Sequence, residues 1–536
     1  MFRAASVMVA LLAASSPTFA AKPPRHPKLL VMIVVDQLGS LYMARYGHLL
    51  EGGIQRLTAS GAYYPNGEHD YANTATGPGH ATIATGAYPS EHGIVNNDWI
   101  DERTGSTVYC VGTRSATASP GSLRAPTLAD AIRLGSVGRS RVLSIAIKDR
   151  AAVLSGGQRP TAVVFYDEQK GAFVSGSYAE KTKLTWLEGF DHVAEAAHGT
   201  TWNRLRADVD YEVATGPDET PWETPAVAIG RTFPHALGQG LAKTDPMWLK
   251  AYRMTPDALE KLFELAERAI QAEQLGAGPA TDVLFIGASS LDFSGHMFGT
   301  YAHETLDMLL RTDRLIGELQ RRIERRLGRD ETVWMLTGDH GMADAPEAVT
   351  AFGSRMSRFS IDAMSLALNA ELAKLVPRGA QAPQVVSLDP PQVYLRHSPA
   401  VDRTTARRAL AELLEATGPV IEAHAVEDLG AFREPHRTWF ERLIHPGRRA
   451  DVYVWTASNA LLAWESGSNH GSPHVHDQRV PIAFYGPNIA RFVDPTPVSV
   501  IRIAPTLAWL LGVVPPSAAH AGPLPVRNLA RETKAN

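Results

Sequence analysis

Three aspartates and three histidines have the types and spacing to bind metal ions together. Each comes just after a run of apolar residues or between two such runs: Asp36, Asp292, His296, Asp339, His340 and His470. In LDFSGH, the spacing Asp-x-x-x-His puts Asp292 and His296 on one side of a turn, where they can chelate one ion. Carboxylate and imidazole groups suit Zn²⁺. The pattern therefore predicts a zinc site.

A threonine in TGPGHATIATG could act as a nucleophile beside such ions. Pro78 suits the first position of a helix, which would make Gly77 the N-cap, and Gly86 suits the position after the helix end. Thr76 would then lie at a helix N-terminus, where free N–H groups favour an anion. A hydroxyl beside a metal ion can attack as an alkoxide. The alternative is that Thr76 is only a turn residue.

A lysine and an arginine follow another apolar run, in SIAIKDR. If this segment is extended, Lys148 and Arg150 point in the same direction. A lysine point charge and an arginine fork together match the two charges and three non-bridging oxygens of a terminal phosphate. A diester has one charge and a second organic group, so its site would need an apolar pocket. The pair predicts a phosphate monoester site, with a solvated strand end as the alternative.

These side chains need a scaffold, and the apolar runs predict strands buried on both faces of a parallel sheet. The runs are Lys28–Val35, Arg141–Ile147, Asp282–Gly287, Thr332–Leu336 and Val480–Tyr485. Between them, helices are predicted from Thr255 to Gly276, with Thr255 as N-cap, and from Thr305 to Leu327. The alternation predicts an α/β fold, with a mostly parallel central sheet flanked by helices on both faces. Ligands bind beyond the carboxyl ends of such strands, where the six predicted metal ligands fall.

Two stretches interrupt this pattern and are predicted to be insertions in a catalytic domain that spans 21–536. The stretch at about 161–244 has short β-like pieces and weak periodicity. The stretch at about 359–449 shows helix, strand, strand, helix and strand in turn.

The N-terminal segment has the features of a signal peptide over residues 1–20. Arg3 gives a positive start, residues 4–16 are apolar and small, and Thr18-Phe19-Ala20 fits a cleavage site. No later stretch is apolar enough to predict a transmembrane helix. The mature protein is therefore expected to be secreted or periplasmic.

Composition excludes several classes of protein. The chain has 536 residues, 52 Lys and Arg against 56 Asp and Glu, and therefore no basic footprint for nucleic acid. Cys110 is the one cysteine, so neither an intramolecular disulfide nor a multi-cysteine zinc site can form.

With these motifs, the chain resembles the alkaline phosphatase superfamily. It is most similar to the branches with a threonine nucleophile: exported bacterial alkaline phosphatases and nucleotide pyrophosphatase/phosphodiesterases. The most specific stretch is TGPGHATIATGAYPSEHGIVNND, and IAPTLAWLLG resembles the superfamily's C-terminal core helix. The resemblance covers 28–101, 141–157, 282–344 and 450 to about 516, but neither insertion.

The resemblance also implies roles for individual residues. Thr76 matches the nucleophile, which is itself a ligand of the first metal ion and is activated by it. Asn97 matches the side chain that hydrogen-bonds the phosphoryl oxygen. The implied ligands of that metal are Asp36, Asp339 and His340; those of the second, which holds the leaving oxygen, are Asp292, His296 and His470. His474 and His476 compete with His470, but the family ligand stands directly before a glycine, as His470 does. His80 and His92 are expected to support the site or pack a helix.

The expected protein is an exported alkaline phosphatase with two Zn²⁺ ions, which hydrolyses small-molecule phosphate monoesters through a phospho-threonine. Asn97, Lys148, Arg150 and the backbone amide near Gly77 are expected to hold the equatorial oxygens. A phosphodiesterase or nucleotide pyrophosphatase is the first alternative. The second is an exported protein that binds metal or phosphate without turnover.

Overall fold

The structure of the protein is a computed structural model that describes residues 26–224, 227–351, 353, 355–463 and 466–527. The predicted signal peptide lies outside the described residues. No helix in the described ranges combines the length and the apolar character needed to cross a membrane.

A ten-stranded sheet runs through the centre of the described chain. Its five middle strands are parallel to one another and lie in the order Thr332–Thr337, Leu29–Val35, Asp282–Ala288, Val142–Ala146 and Ala162–Asp167. Beyond the first of these lie Arg479–Tyr485, Ala62–Glu68 and the short strands Phe492–Val493 and Val498–Ser499; beyond the last lies Ala172–Ser175. The predicted mostly parallel sheet is confirmed. The predicted strand at 480–485 is antiparallel to both of its neighbours, however.

The two faces of this sheet are both buried, as the continuous apolar runs predict. In the strand Leu29–Val35, alternate residues pack into two separate cores, and none is more than 5% exposed. The helices Pro256–Ala272 and His303–Leu327 cover one face. The helices Thr76–Thr85, Asp149–Gly156 and Ile503–Leu511 cover the other. Helices on both faces are what keep a parallel sheet out of water.

The long helix Pro256–Ala272 begins at the residue that the sequence predicted. The Thr255 hydroxyl accepts a hydrogen bond from the Ala258 amide, so it caps Pro256–Ala272 as predicted. The remaining α-helices of the described ranges are Ser40–Tyr46, Gly53–Ser60, Pro89–His92, Leu128–Gly135, Val193–Ala197, Tyr211–Thr215, Pro246–Ala251, Ser290–Phe298, Pro346–Ala351, Ile361–Leu372, Arg403–Glu415, His436–Leu443 and Val475–Gln478.

The start of the first predicted insertion belongs to the central sheet. Ala162–Asp167 and Ala172–Ser175 are the two strands at one end of the spatial order of that sheet. The second contributes to a four-stranded antiparallel sheet, called here the small sheet. Its strands are, in spatial order, Gln384–Asp389, Gln392–Arg396, Val452–Thr456 and Val420–Ala425. The helices Ile361–Leu372 and Arg403–Glu415 pack on the small sheet around a core of its own. Three two-stranded pairs complete the described strands: Asp98–Ile100 with Thr107–Tyr109, Thr201–Trp202 with His235–Ala236, and Ser357–Ser360 with Ala460–Ala463.

Strand direction brings the predicted site residues to one edge of the central sheet. The parallel strands all end at this edge, so Asp36, Lys148, Asp292 and Asp339 follow there. The antiparallel strand Arg479–Tyr485 begins at the same edge, so the loop before it, which carries the predicted histidine ligand, arrives there too.

Candidate active site

The three predicted aspartate ligands are buried, and each is at most 1% exposed. Among the described residues, one oxygen of each carboxylate has no hydrogen-bond partner: Asp36 Oδ2, Asp292 Oδ1 and Asp339 Oδ2. Burying a carboxylate is costly unless a cation or hydrogen bonds compensate for the lost water. The only side-chain cation beside these oxygens in the described structure is Lys148, whose Nζ lies 3.0 Å from Asp36 Oδ2. The three carboxylates therefore have negative charge and unpartnered oxygens that further cations could compensate.

The three predicted histidine ligands are held in the orientation that metal binding requires. The Nδ1 atom of each lies at hydrogen-bond distance from a backbone carbonyl: His296 from Ser468 at 3.0 Å, His340 from Gly341 at 2.8 Å, and His470 from Thr74 at 2.9 Å. Nδ1 therefore carries the proton, and Nε2 offers its lone pair to the site. Such backing of metal-binding imidazoles is general.

The ligand atoms converge around Asp292 Oδ1. The Nε2 atoms of His296, His470 and His340 lie 3.5, 3.6 and 3.9 Å from this oxygen. His340 Nε2 is also 3.3 Å from Asp339 Oδ2, so it lies between the two predicted ligand groups. Ligands of one tetrahedral zinc ion are roughly 3.3–3.6 Å apart. The donor types and separations therefore fit zinc.

His80 also lies beside Asp36 and Asp339, two of the predicted ligands of the first metal ion. Its Nε2 lies 3.2 Å from Asp36 Oδ1 and 3.6 Å from Asp339 Oδ2, and these three residues could hold an ion. Its other nitrogen faces the Ser155 hydroxyl at 3.5 Å, not a backbone carbonyl. A hydrogen bond from His80 to Asp36 agrees with the supporting role expected from the sequence.

The other three histidines considered in the sequence face elsewhere. His92 bonds to the Thr82 hydroxyl and the Ile94 amide, within the helix packing. His474 Nε2 lies 3.0 Å from the Thr456 carbonyl oxygen, and His476 Nε2 lies 3.4 Å from the Ser472 hydroxyl. The geometry therefore favours His470 for the last ligand.

The loop with three histidines allows a direct test. We expect His470→Ala to lower the zinc content by about one ion per chain, because its Nε2 faces Asp292. His474→Ala should retain the wild-type zinc content, since its Nε2 is engaged by a backbone carbonyl. Elemental analysis of both purified variants measures this. Zinc loss in His474→Ala with full zinc in His470→Ala would reverse the assignment.

Thr76 lies at the start of a helix, two residues earlier than the sequence predicted. Ala75 is the N-cap, the helix runs from Thr76 to Thr85, and Gly86 ends it with a φ of 70°. The predicted N-cap at Gly77 is therefore wrong, whereas the helix end is confirmed. Gly79 lets this helix approach the metal ligands, because a Cβ there would collide with the Asp339 carbonyl.

Lys148 and Arg150 both reach Thr76, but from a helix. The strand ends at Ala146, Lys148 is the N-cap of Asp149–Gly156, and Arg150 lies in its first turn. The predicted extended segment is therefore wrong. The Lys148 ammonium donates to Thr76 Oγ1 at 3.0 Å and to Asp292 Oδ2 at 2.6 Å. The Arg150 guanidinium lies 3.5 Å from Thr76 Oγ1.

A tyrosine that the sequence did not single out helps to place this arginine. Tyr109 OH accepts from Arg150 Nη1 at 3.4 Å and donates to Asp149 Oδ1 at 2.5 Å. Its strand, Thr107–Tyr109, pairs with the strand that follows Asn97, so only the folded chain shows this contact.

Asn97 is held against the first turn of the Thr76 helix. Its Oδ1 accepts a hydrogen bond from the Gly77 amide at 2.8 Å. The Gly77 N–H is therefore engaged in this structure, and the use of a backbone amide near Gly77 to bind the substrate stays a prediction. The Asn97 Nδ2 group remains a donor for a phosphoryl oxygen.

Burial keeps His340 and His470 neutral. Burial lowers the pKa of His340 to about 3, and burial and His340 lower that of His470 well below its ordinary value. Burial raises the pKa of Asp292, but Lys148 and the neighbouring histidines outweigh it and hold the pKa well below its usual range. Burial and Asp36 raise the pKa of Asp339 well above its ordinary value. A cation between these carboxylates would relieve that repulsion.

Comparisons with known proteins place this chain among phosphodiesterases and alkaline phosphatases. The sequence model of the family described as type I phosphodiesterase / nucleotide pyrophosphatase matches residues 30–429. Alkaline phosphatase PafA of Elizabethkingia meningoseptica is 28% identical over 93% of this chain and 94% of its own length. Alkaline phosphatase PhoK of Sphingomonas sp is 30% identical over 90% of this chain and 88% of its own length.

Solved structures extend the similarity to the fold. The crystal structure of wild-type PafA matches with a TM-score of 0.84 and 28% identity, over 94% of this chain and 99% of that one. Murine ectonucleotide pyrophosphatase/phosphodiesterase 5 shares the fold, with a TM-score of 0.51 and 13% identity over 95% of this chain and 99% of that one. The family match spans well over half of the sequence, and the chain therefore belongs to the alkaline phosphatase superfamily, within the type I phosphodiesterase / nucleotide pyrophosphatase family.

Proposed function

We propose that the protein is an exported, metal-dependent alkaline phosphatase that hydrolyses phosphate monoesters through a phospho-threonine intermediate. One observation carries this proposal: Lys148 and Arg150 converge with His340 on the buried Thr76 hydroxyl, at 3.0, 3.5 and 3.4 Å. A nucleophile, two phosphate-binding cations and a metal ligand thus meet at one atom.

The residues of the chain supply most of the chemistry. Thr76 Oγ1 forms a bond to phosphorus as the bond to the alcohol oxygen breaks, and water then hydrolyses the phospho-threonine to release phosphate. Asn97, Lys148 and Arg150 donate to the equatorial oxygens, so charge placement does most of the catalytic work. The helix start at Thr76 adds a favourable dipole for the phosphoryl group.

We further propose that the site holds two Zn²⁺ ions. Asp36, Asp339 and His340 would hold one, and Asp292, His296 and His470 the other. When bound, zinc supplies positive charge that favours the ionised threonine, the leaving oxygen and a hydroxide at neutral pH. Among the described residues, this site has three buried carboxylates against two side-chain cations, Lys148 and Arg150, so a dianionic phosphate would meet net negative charge without added cations.

Relatives support the same residue set. PafA, PhoK and PhoV of Synechococcus elongatus are each named alkaline phosphatases. A solved PafA variant replaces a threonine, an asparagine, a lysine and an arginine. That threonine and asparagine stand as many positions apart as Thr76 and Asn97, and that lysine and arginine as many as Lys148 and Arg150.

Export is part of the proposal and rests on the N-terminal sequence. The charged start, the short apolar stretch and the Thr-Phe-Ala site fit a cleaved signal peptide over residues 1–20. N-terminal sequencing of the protein recovered from the periplasm or medium tests this: we expect a first residue near Ala21.

Lys148 and Arg150 test the choice between monoesters and diesters. We expect each alanine variant to lose about ten- to a hundredfold in kcat/KM for a phosphate monoester, because a hydrogen bond to a charged oxygen is lost. Diester hydrolysis, with one charge less on phosphorus, should fall less. Rates with a monoester and with its methyl diester measure the ratio.

Two controls sharpen this test. Lys148 also touches Asp292, so zinc content must be measured in Lys148→Ala, whereas Arg150 contacts the Thr76 and Tyr109 hydroxyls. Arg139→Ala removes an exposed arginine that bonds to a backbone carbonyl, and should leave both rates unchanged. Equal losses for both substrates would assign the pair to structure, and a wild type that prefers diesters would replace the proposal with the phosphodiesterase alternative.

A further inference from the structure

The small sheet reaches the active site through the turn of its first hairpin. The strands Gln384–Asp389 and Gln392–Arg396 are joined by Pro390 and Pro391. The residues on either side of this turn, Asp389 and Gln392, both bond to side chains of the loops that carry Asn97 and Thr76.

The first link starts at Asp389. Its Oδ2 accepts from Asn96 Nδ2 at 2.9 Å, and Asn96 Oδ1 accepts from the Asn97 amide at 2.7 Å. Asn97 Oδ1 in turn accepts from the Gly77 amide at 2.8 Å. Four hydrogen-bonding groups thus connect the small sheet to the residue directly after Thr76.

The second link starts at Gln392, which is fully buried. Its Oε1 accepts from Asn73 Nδ2 at 3.0 Å, and its Nε2 donates to the Tyr394 hydroxyl at 3.1 Å. Asn73 Nδ2 also lies 3.1 Å from the Val95 carbonyl oxygen. Gln392 thus holds Asn73, which ties the segment before Thr76 to the loop before Asn97.

We propose that Asp389 and Gln392 are positioning residues of the active site. Asp389 acts through Asn96 on Asn97, and Gln392 acts through Asn73 on the segment before Thr76, so that Asn97 and Thr76 keep their relative positions. The inference rests on the proposed function, because it assigns these two residues to the same phosphoryl-transfer site.

The effect of this support on the reaction follows from the Asn97 amide. Because Oδ1 is engaged by the Gly77 amide, Nδ2 is the end that donates to the phosphoryl group. If Asn96 loses Asp389, its side chain is free to rotate, and the Asn97 backbone loses a fixed acceptor. Groups that donate to a transition state must be placed closely, since a shift of about 1 Å can cost roughly a hundredfold in rate.

Asp389 is a better residue to replace than Gln392, because Asp389 is exposed and its truncation leaves no buried cavity. We expect Asp389→Ala to lower kcat/KM for a monoester about tenfold, mainly through kcat. Asp389→Asn should keep most of the activity, because its amide oxygen can still accept from Asn96. The matched control is Gln384→Ala, an exposed position at the far end of the same strand, which should behave as wild type.

A double-mutant cycle separates positioning from a general loss of fold. In an Asn97→Ala background, Asp389→Ala should cost less than about twofold, since the residue it positions is gone. A full tenfold loss in that background would overturn the proposal, as would wild-type activity in Asp389→Ala or equal losses in the Ala and Asn variants. A second cycle uses Gln392→Met, which keeps the side-chain volume. We expect this substitution to lower kcat/KM in the wild-type background but to cost little in an Asn73→Ala background, since the residue that Gln392 holds is gone.

Hydrogen exchange gives a readout that does not depend on activity. The Asn97 and Gly77 amides should exchange faster in Asp389→Ala than in wild type or Gln384→Ala, because their acceptors lose support. Unchanged exchange at both amides would overturn the inference. If the wild type hydrolyses no monoester, the proposed function fails, and hydrogen exchange alone decides whether Asp389 positions Asn97.

Discussion

Replacing Thr76 by alanine is expected to lower kcat for phosphate monoesters by about a thousandfold or more. The substitution removes the one oxygen on which Lys148, Arg150 and His340 converge, so no covalent intermediate can form. Steady-state rates with a chromogenic monoester measure the loss, and trapping of labelled phosphate on the chain at low pH measures the intermediate. We expect both signals to vanish together.

Three controls accompany this prediction. Thr76→Ser keeps a hydroxyl at the helix start and should retain measurable turnover and labelling. Zinc content and melting temperature of Thr76→Ala should stay close to wild type, because the six predicted protein ligands remain. Near wild-type rates in Thr76→Ala, or labelled phosphate that persists on the chain, would rule out Thr76 as the nucleophile.

Removal of metal is expected to have the second large effect. Prolonged EDTA treatment should abolish activity, and added Zn²⁺ should restore it, because the three buried carboxylates can then be neutralised. Asp292→Ala should lose about one zinc ion per chain and at least about a hundredfold in kcat/KM, since it removes the oxygen around which three imidazoles converge.

Elemental analysis and thermal unfolding test the metal sites without a measurement of activity. Wild type should bind two zinc ions and melt at a lower temperature after chelation, because ligand binding stabilises the folded state. Asp36→Ala should lose the other ion, whereas the exposed Asp208→Ala should lose none. Full zinc content in both Asp292→Ala and Asp36→Ala would contradict the ligand assignment.

These expectations share a physical cause, which is the burial of opposite charges at one sheet edge. Lys148 contacts Asp36 and Asp292 as well as Thr76, so it lies between two predicted metal ligands and the proposed phosphate site. Its removal would therefore change metal binding and substrate binding together. Arg150, held by Tyr109, is the cleaner probe of the phosphate alone.

The sequence alone was sufficient to predict five of the ten strands of the central sheet, helices on its faces and several residues at its edge. Strands buried on both faces are continuous apolar runs, so Leu29–Val35 and its neighbours were recognisable without their partners. The motif around Thr76 and the histidine before a glycine are likewise local patterns. Parallel strands end at one edge, so the convergence of Asp36, Asp292 and Asp339 could also be expected.

Only the tertiary structure decided how these residues contact one another. Lys148 caps a helix and Arg150 lies in its first turn, because the strand ends at Ala146 and the turn after it leads directly into Asp149–Gly156. Asn97 bonds to the Gly77 amide, and Asp389 reaches Asn96 across nearly three hundred positions of sequence. Hydrogen bonds between distant segments leave no periodic signal in the chain. Three strands of the small sheet lie where the sequence predicted strands within 359–449, while their contact with the active site became visible only in the folded protein.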